Sequence, residues 1–516
     1  MTRCRMKRVK VLFINMVLLT ATSLLIRTIA VSYQVYLSNR IGSAGIGLYQ
    51  LIMSVFTFAL TFSVSGIRLA ATRLVSEELG RNNHKGAKKA VRYCIYHALG
   101  FGFCAAVLLF SFSSLIGNYW LGDERTVLSL RLLAVSLPFI AMTSVMNGYF
   151  TAVRRVAKCA VVQFTEQLIR ISATVLCITF FMPDGLEYAC AAIVIGADLA
   201  EASSFLILFL MFLWDKRRYR NNDGNVQGMA KRMFHISLPV ACSSYVRSGL
   251  STIEHLLIPR GLKQSGASTE AALTTYGLIH GMVMPIILFP SALMIVLSDL
   301  LVPEITECQA HGNQTRLNYM VTRVFQMGML FSVGVMGVML CFADELGIAI
   351  YHTLDASYFI RILAPLVIVM YMDMLVDGML KGLGAQISSM RYNIIDALVG
   401  VIMVAVFVPK FAINGYVLTI VVTEFLNFCL SIRKLMKISD FTISFFTSVL
   451  KPVFCICSAI AITKLLFRFI ILPFSSVYLT LAVHILSVIA IYIFYLYMFS
   501  CLTKEDTRWF TSIFRA

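Results

Sequence analysis

The sequence has little charge and no long polar segment. Only 14% of its 516 residues are charged, whereas 59% are hydrophobic, and its mean hydropathy is +0.82. A soluble protein is about half apolar and about a quarter charged, and at this length it would divide into domains joined by polar linkers. The composition therefore excludes an ordinary soluble protein and indicates an all-α polytopic membrane protein.

Motifs for several kinds of chemistry are also missing. The stretch GSAGIG at Gly42 lacks the Lys-Ser/Thr pair of a phosphate-binding loop, which argues against an ATPase. The 13 cysteines lie mostly within apolar runs, where they behave as small hydrophobic residues, so neither a disulfide framework nor a zinc site is indicated. No metal-ligand spacing joins the histidines His84, His97, His280, His352 and His484. The sequence predicts neither an enzyme nor a bound cofactor or metal.

The surplus of positive charge follows the pattern of membrane topology signals. The net charge is +18, and the basic residues flank apolar runs on alternating sides. With the N-terminus inside, the inner segments hold 31 Lys and Arg residues and the outer segments hold 8. We therefore predict a multi-pass protein of the cell membrane, with both termini in the cytoplasm and no nucleic-acid partner.

The apolar runs predict about 14 transmembrane helices. The first run is too long for the core of a signal peptide, and no small-residue cleavage site follows it, so it is predicted to stay uncleaved. The predicted spans are 11–38, 45–70, 91–116, 128–153, 160–182, 187–214, 233–258, 274–300, 321–343, 358–381, 390–408, 412–432, 448–471 and 476–500.

The two halves of the chain resemble each other at an offset of roughly 220–230 residues. YQLI at Tyr49 matches YGLI at Tyr276, and Arg27 falls on Arg247. Such repeats are common in transporters, which bind substrate where the repeats meet. We predict a six-helix lobe at 1–215, a second lobe repeating it at 216–440, and two extra helices with a cytoplasmic tail at 441–516.

One arginine interrupts the first apolar run. Arg27 would be costly in lipid, yet Ser23 and Gln34 share its helical face. Arg247 takes the equivalent place on the seventh helix. Because a guanidinium binds phosphate oxygens bidentately, these four residues are predicted to bind an anion. The alternative is a structural arginine paired with a carboxylate, which for Arg247 would be Glu254.

A second arginine ends a polar stripe on the second predicted helix. Arg68 could receive an anionic headgroup at the cytoplasmic mouth, or it could be a snorkelling topology signal. Counting along the helices places it roughly 20 Å from Arg27, too far for both to hold one pyrophosphate. Glu166 and Arg170 form an i, i+4 pair, which we interpret as structural. The stripe before Arg68 consists of Gln50, Ser54, Thr57, Thr61 and Ser65.

The stretch GIGLYQLI…SGIRLAATRLVSEE, the duplication and the two extra C-terminal helices resemble the multidrug/oligosaccharidyl-lipid/polysaccharide exporter superfamily. Within it the chain is most similar to the stage V sporulation protein B group, which is related to the lipid II flippases. The resemblance implies two six-helix lobes in a V around a central cavity. It also implies alternating-access transport of an undecaprenyl-pyrophosphate-linked, lipid II-like cell-wall precursor for spore cortex peptidoglycan synthesis.

The resemblance implies further features. The last two helices would hold the lipid tail, and membrane lipids and cortex peptidoglycan synthases would be partners. Lipid II flippases carry an arginine at a place that resembles Arg27, followed by an acidic residue where this chain has Thr28.

Some members of the superfamily bind Na⁺ in the second lobe. The polar residues available there are Glu254, Asn393, Asp396, Thr423 and Glu424. Asp396, Glu424 and Glu201 have no obvious partner nearby in the sequence, and buried carboxylates in membrane helices are commonly proton or cation sites. The alternative is a protonated acid that forms a hydrogen bond between helices.

Two other functions stay open. One is a cation-coupled multidrug or polysaccharide exporter of the same superfamily, although Arg27 in place of an acid argues against a cationic drug. The other is a non-transporting membrane scaffold for cortex synthesis, in which the loops rather than Arg27 and Arg247 would matter.

Overall fold

The computed structural model is helical and contains no strand over the residues that it describes. These are residues 2–64, 66–81, 83–153, 155–181, 185–216, 228–310, 312, 314–439, 449–469 and 477–502. Side chains are described from residue 24 onward, apart from those of residues 156, 216, 300, 303, 310, 468, 469 and 477. The predicted cytoplasmic tail after residue 502 lies outside these residues.

The helices are named here in chain order. In the first half of the chain they are α1 (Thr2–Val64), α2 (Ile67–Gly80), α3 (His84–Leu115), α4 (Thr126–Ala152), α5 (Val156–Phe181), α6 (Leu186–Lys216), α7 (Met229–Gln264) and α8 (Thr269–Gly277). The remaining helices are α9 (Met284–Leu288), α10 (Ser291–Ala310), α11 (Gln314–Cys341), α12 (Ala343–Tyr351), α13 (Asp355–Leu363), α14 (Leu366–Gly382), α15 (Gln386–Ile438), α16 (Lys451–Phe469) and α17 (Val477–Met498). Two short π-helical segments cover Ile116–Leu121 and Leu278–Val283.

The helices form two compact units. The first unit covers Leu18–Gly277, and the second contains the chain from Leu278 onward. Helix α7 packs against α2 and α3, so the first unit extends beyond the predicted 1–215 lobe. The division into duplicated six-helix lobes stays a prediction.

Two helices are each long enough to cross a bilayer twice. α1 has 63 residues and α15 has 53, whereas one crossing needs about 20. The backbone leaves the helical region at Gly42 in α1 (φ 71°) and at Ala412 in α15 (φ 49°). Gly42 lies in the predicted gap between the first two helices, and Ala412 lies where the twelfth was predicted to begin.

Among the described residues, nine helices are long and apolar enough to cross a membrane, or ten if the bent pair α13 and α14 is one span. The two long helices each contribute one to that number. The predicted class, an all-α polytopic membrane protein, is confirmed, and the number 14 stays a prediction. The predicted eighth helix, 274–300, is wrong as one helix, because it divides among α8, a π-helical segment, α9 and α10.

The core of the first unit is built mainly from α2, α3 and α4, whose small residues allow close packing. The second unit has one core among α10, α11, α14 and α15. A separate core joins α16 and α17 to α11 and α12. Apolar side chains also cover exposed faces of α16 and α17, for example Phe454, Leu465, Leu486 and Phe494, as expected of helices that contact lipid.

Candidate functional site

A cavity of about 440 Å³ lies within the first unit, and we call it the arginine-lined cavity. Its wall includes the predicted site residue Arg68 and also Ile26, the residue before Arg27. The volume falls within the range of about 300–1,000 Å³ that is usual for small-molecule sites. The polar side chains in the wall are Arg68, Thr143, Ser144, Asn147, Gln163, Glu166, Gln167, Glu201 and Ser204.

Close backbone packing positions Arg68. The chain enters α2 through Gly66, whose φ of 75° favours glycine, and a Cβ there would overlap the carbonyl oxygen of Ser237. A Cβ on Gly148 of α4 would lie 2.7 Å from the carbonyl oxygen of Arg68. The Thr72 hydroxyl donates a hydrogen bond to the Gly148 carbonyl oxygen at 3.1 Å. The first turn of α2 is thus held between α7 and α4.

The surroundings of Arg68 favour an anion. Its side chain is exposed and lies on the first turn of α2, where the helix dipole adds partial positive charge. Within the described part of the chain, Arg68 forms no ion pair. A phosphate in the arginine-lined cavity could therefore meet both a guanidinium and a helix N-terminus.

The structure shows a partner for Glu201 on a neighbouring helix. Arg170 Nη2 donates to Glu166 Oε1 at 2.8 Å, as predicted, and also to Glu201 Oε1 at 3.0 Å. Glu201 has no partner nearby in the sequence, and the structure supplies a distant one, because α5 and α6 lie side by side and the Arg170–Glu201 pair spans 31 residues. With both carboxylates ionised, the three groups carry a net charge of −1, so the cavity has a cationic and an anionic part.

Helix α1 is attached to this region. The Tyr33 hydroxyl donates to Thr174 Oγ1 on α5 at 2.9 Å. Arg27 and Gln34 are both half-buried on α1, and each has an interaction partner. Ser23, the fourth residue of the predicted anion site, lies outside the described side chains.

Arg247 belongs to the same unit as Arg27. Its helix α7 lies against α1, since Tyr245 donates to the Phe62 carbonyl oxygen at 3.1 Å and Thr252 donates to that of Ser54 at 3.0 Å. Arg247 is exposed and forms no ion pair with a described residue, so the alternative pairing with Glu254 is not formed.

The residues of the predicted cation site are divided between the two units. Glu254 is half-buried in the first, and the other four lie on α15 in the second. The Asn393 amide donates to the Ser389 carbonyl oxygen at 2.9 Å, and Thr423 donates to the Thr419 carbonyl oxygen at 3.0 Å. Glu254, Asp396 and Glu424 each have an interaction partner. The described residues contain no group of three His, Cys, Asp or Glu side chains that could hold a metal, and the cation site stays a prediction.

Polar links on α14 escaped the sequence reasoning. Asn427 Nδ2 donates to Asp373 Oδ2 at 3.0 Å, and Ser389 donates to Asp377 Oδ1. Both links join α14 to α15. The spacing of Asp373 and Asp377 by one helical turn was a visible signal, but their partners could not be found from it.

An ion network at the end of α2 also went unpredicted. Arg232 on α7 lies 2.6 Å from Glu77 Oε2 and 2.7 Å from Glu78 Oε1. Asn83 donates to Glu78 Oε2 at 2.8 Å, and its own Oδ1 caps α3 by accepting from the Gly86 amide. Both ends of α2 are therefore attached to α7, one through Gly66 and the other through Arg232.

Comparisons with known proteins show the family and the fold of the chain. A family model described as "Polysaccharide biosynthesis protein" matches residues 12–309. Stage V sporulation protein B of Bacillus subtilis is 27% identical over 505 residues, which cover 95% of this chain and 96% of that protein. Lipid II flippase MurJ of the same organism is 22% identical over 335 residues, 60% of each chain. A solved structure of lipid II flippase MurJ, in an inward closed conformation, has a TM-score of 0.72 at 13% identity and covers 94% of this chain and 98% of that one. The predicted resemblance is confirmed.

Proposed function

Because this chain belongs to the polysaccharide biosynthesis protein family, we propose that it moves an undecaprenyl-pyrophosphate-linked cell-wall precursor across the cell membrane. The precursor would be lipid II or a relative that is used in spore cortex synthesis. The similarity to stage V sporulation protein B over 95% of the chain supports the sporulation role, and the similarity to a lipid II flippase supports the lipid-linked substrate.

The broader class is established. The chain is a multi-pass membrane protein of the transporter or flippase class, since its helices are long and apolar and it shares sequence and fold with lipid II flippases. It is not an enzyme, because the relatives above with a named activity are flippases.

The observation that carries the proposal is the position of Arg68. It lies in the wall of the arginine-lined cavity at the start of α2, with no ion pair in the described part of the chain. The residue before Arg27 lies in the same wall. Such guanidinium groups suit a pyrophosphate, because their planar fork matches phosphate oxygens.

In the proposed mechanism, transport follows alternating access between two duplicated lobes, with both termini in the cytoplasm. Arg68 receives the headgroup first, and Arg27 and Arg247 bind it next, with Gln34 and Ser23 beside them. The lipid tail stays in the bilayer along α16 and α17. Cortex synthases would take up the product.

Charge makes the arginines useful. Each unit charge that crosses 100 mV changes the free energy by about 2.3 kcal/mol, and a pyrophosphate carries about two negative charges. Arginine side chains that move with the headgroup reduce the net charge transferred. Membrane potential, or a cation at the site proposed from Glu254, Asn393, Asp396, Thr423 and Glu424, would reset the protein.

The decisive experiment is a lipid II translocation assay in proteoliposomes with the full chain. Wild-type protein should translocate fluorescent lipid II, and Arg27→Ala and Arg247→Ala should each slow it. Arg73→Ala is the matched control, because Arg73 is exposed and its partner is Glu77. A wild-type protein that neither binds nor moves lipid II would remove the main support for the proposal.

The same assay tests the alternatives. Translocation of another polyprenyl-linked glycan, but not of lipid II, would indicate an exporter of a different polysaccharide precursor, which the family description also favours. Normal sporulation in cells that carry both arginine substitutions would instead indicate a scaffold.

A further inference from the structure

A second cavity, of about 220 Å³, lies elsewhere in the first unit, and we call it the aromatic cavity. Three segments form it: α1 through Leu51, the π-helical segment and following turn through residues 119–122, and the last turns of α7. It shares no lining residue with the arginine-lined cavity. The aromatic cavity is therefore a separate feature, which the proposed function does not use.

The charged residues that line the aromatic cavity are both positive. They are Arg260 and Lys263, three residues apart on α7 and therefore neighbours on one helical face. Neither forms an ion pair with a described residue. The nearby carboxylate of Asp123 is already paired with Arg125 at 2.6 Å. The cavity thus presents two positive charges that the described side chains leave unbalanced.

Aromatic side chains locate the cavity near a membrane surface. Tyr119 and Trp120 are 79% and 58% exposed at the end of a long apolar helix. Tyrosine and tryptophan concentrate where a bilayer meets water, which is also the depth of lipid phosphates. The chain then turns at Gly122 with φ 66°, and a Cβ there would lie 3.9 Å from the Lys263 ammonium. The ammonium group is therefore held beside the turn.

We propose that the aromatic cavity binds the phosphate of a lipid headgroup. Arginine holds phosphate through its fork, and lysine holds it as a point charge. The volume is below the range of about 300–1,000 Å³ that is usual for drug-sized ligands, so the cavity suits a headgroup phosphate rather than a whole glycan. An anionic phospholipid and an undecaprenyl pyrophosphate carry the same recognised group.

The test uses Trp120 as a local reporter. The chain has 3 tryptophans, so the full-length Trp214→Phe/Trp509→Phe variant keeps only Trp120. This protein is reconstituted in phosphatidylcholine vesicles that contain either brominated phosphatidylglycerol or brominated phosphatidylcholine. Brominated phosphatidylglycerol should quench Trp120 at a severalfold lower mole fraction than brominated phosphatidylcholine.

Removal of the two charges should abolish the preference. Each basic residue near a membrane contributes about 1 kcal/mol of attraction to anionic lipid. The Arg260→Gln/Lys263→Gln variant should therefore need an about tenfold or more higher mole fraction of brominated phosphatidylglycerol to quench half of the Trp120 fluorescence. Arg260→Lys/Lys263→Arg should retain the preference. Arg131→Gln is the control, because Arg131 donates to Ser113 and Ser114 and does not line the cavity.

Three outcomes separate the possibilities. If added undecaprenyl pyrophosphate relieves the quenching, the site is assigned to the lipid-linked precursor. If it does not relieve the quenching, the site is assigned to phospholipid. Equal quenching by the two brominated lipids, unchanged in the glutamine variant, overturns the proposal.

If the double variant does not elute as a monodisperse protein, Arg260→Gln and Lys263→Gln are measured singly, and each should weaken the preference for phosphatidylglycerol severalfold. A failure of lipid II translocation leaves this result unaffected, because the assay measures no transport.

Discussion

Arg170 on α5 donates to Glu201 on α6 at 3.0 Å, and Glu201 lies in the wall of a cavity whose other charged residues are Glu166 and Arg68. The same guanidinium also donates a hydrogen bond to Glu166 Oε1 at 2.8 Å. One arginine therefore balances much of the charge of two carboxylates within the membrane-spanning part of the protein. The cationic character of the cavity then depends on Arg68.

Glu201→Gln should destabilise the protein. The substitution removes the charge from a partly buried, charge-assisted hydrogen bond, so we expect a loss of about 1–3 kcal/mol in the free energy of unfolding. A lower thermal midpoint of the detergent-solubilised protein would show it. Glu124→Gln changes an exposed loop residue and should leave the midpoint unchanged. Equal midpoints for the two variants would contradict a structural role for the Arg170–Glu201 pair.

Gly66→Ala should be more damaging than its single methyl group suggests. The residue has φ 75°, and a Cβ would overlap the backbone of Ser237. The positive φ alone costs an alanine about 1–2 kcal/mol, and the overlap adds to this cost. Gly80→Ala, at the other end of α2, meets no atom within 4 Å and should be nearly neutral. Yield and thermal midpoint of the two variants can be compared directly, and a tolerated Gly66→Ala would show that α2 and α7 can separate at this point.

Arg68→Ala should weaken binding of a pyrophosphate-bearing lipid. A charge-assisted hydrogen bond contributes about 1.5–3 kcal/mol, which corresponds to at least about a tenfold change in Kd. Arg68→Lys should lose less, because it keeps the charge and loses only the fork. Titration of undecaprenyl pyrophosphate into the protein in nanodiscs measures both. Arg73→Ala, one turn along on α2, is the control; if it matched Arg68→Ala, binding would depend on general surface charge.

Arg232→Glu should loosen the attachment of α2 to α7. In the wild-type protein, the guanidinium of Arg232 pairs with both Glu77 and Glu78. The substitution replaces it with a third carboxylate beside these two. We expect a lower thermal midpoint, partly restored when Glu78→Arg is added to the same chain. Lys231→Glu alters the adjacent exposed residue by the same charge and should have little effect. Failure of the second substitution to restore stability would mean that the ion network contributes little.

Much of the fold could be predicted because its signals are local. A long apolar run forms a membrane helix wherever it occurs, since the bilayer offers its backbone no other hydrogen-bond partners. The break near Gly42 was predictable for the same reason, because the run is interrupted there by polar and small residues. Ala412 shows the limit: a helix was predicted to begin there, but only the structure shows the left-handed φ of 49° at which the backbone breaks.

The candidate site was predictable in part. Arg68 was named from a polar stripe, which is a property of one helix. Its neighbours were not, because the stripe cannot show which helix faces it. The partner of Glu201 could not be found for that reason, and neither could the pairing of Arg232 with Glu78, which lies 154 residues away in the chain.

By itself, therefore, the sequence determined a polytopic helical membrane protein that resembles a family of exporters, with arginines in its first helices. These properties follow from composition, from periodicity and from short motifs. The tertiary structure alone decided which charges meet, namely Arg170 with Glu201 and Arg232 with Glu78. It also decided that Arg68 lines a cavity. Ion pairs act over a few ångströms, and only packing brings residues far apart in the chain to that distance.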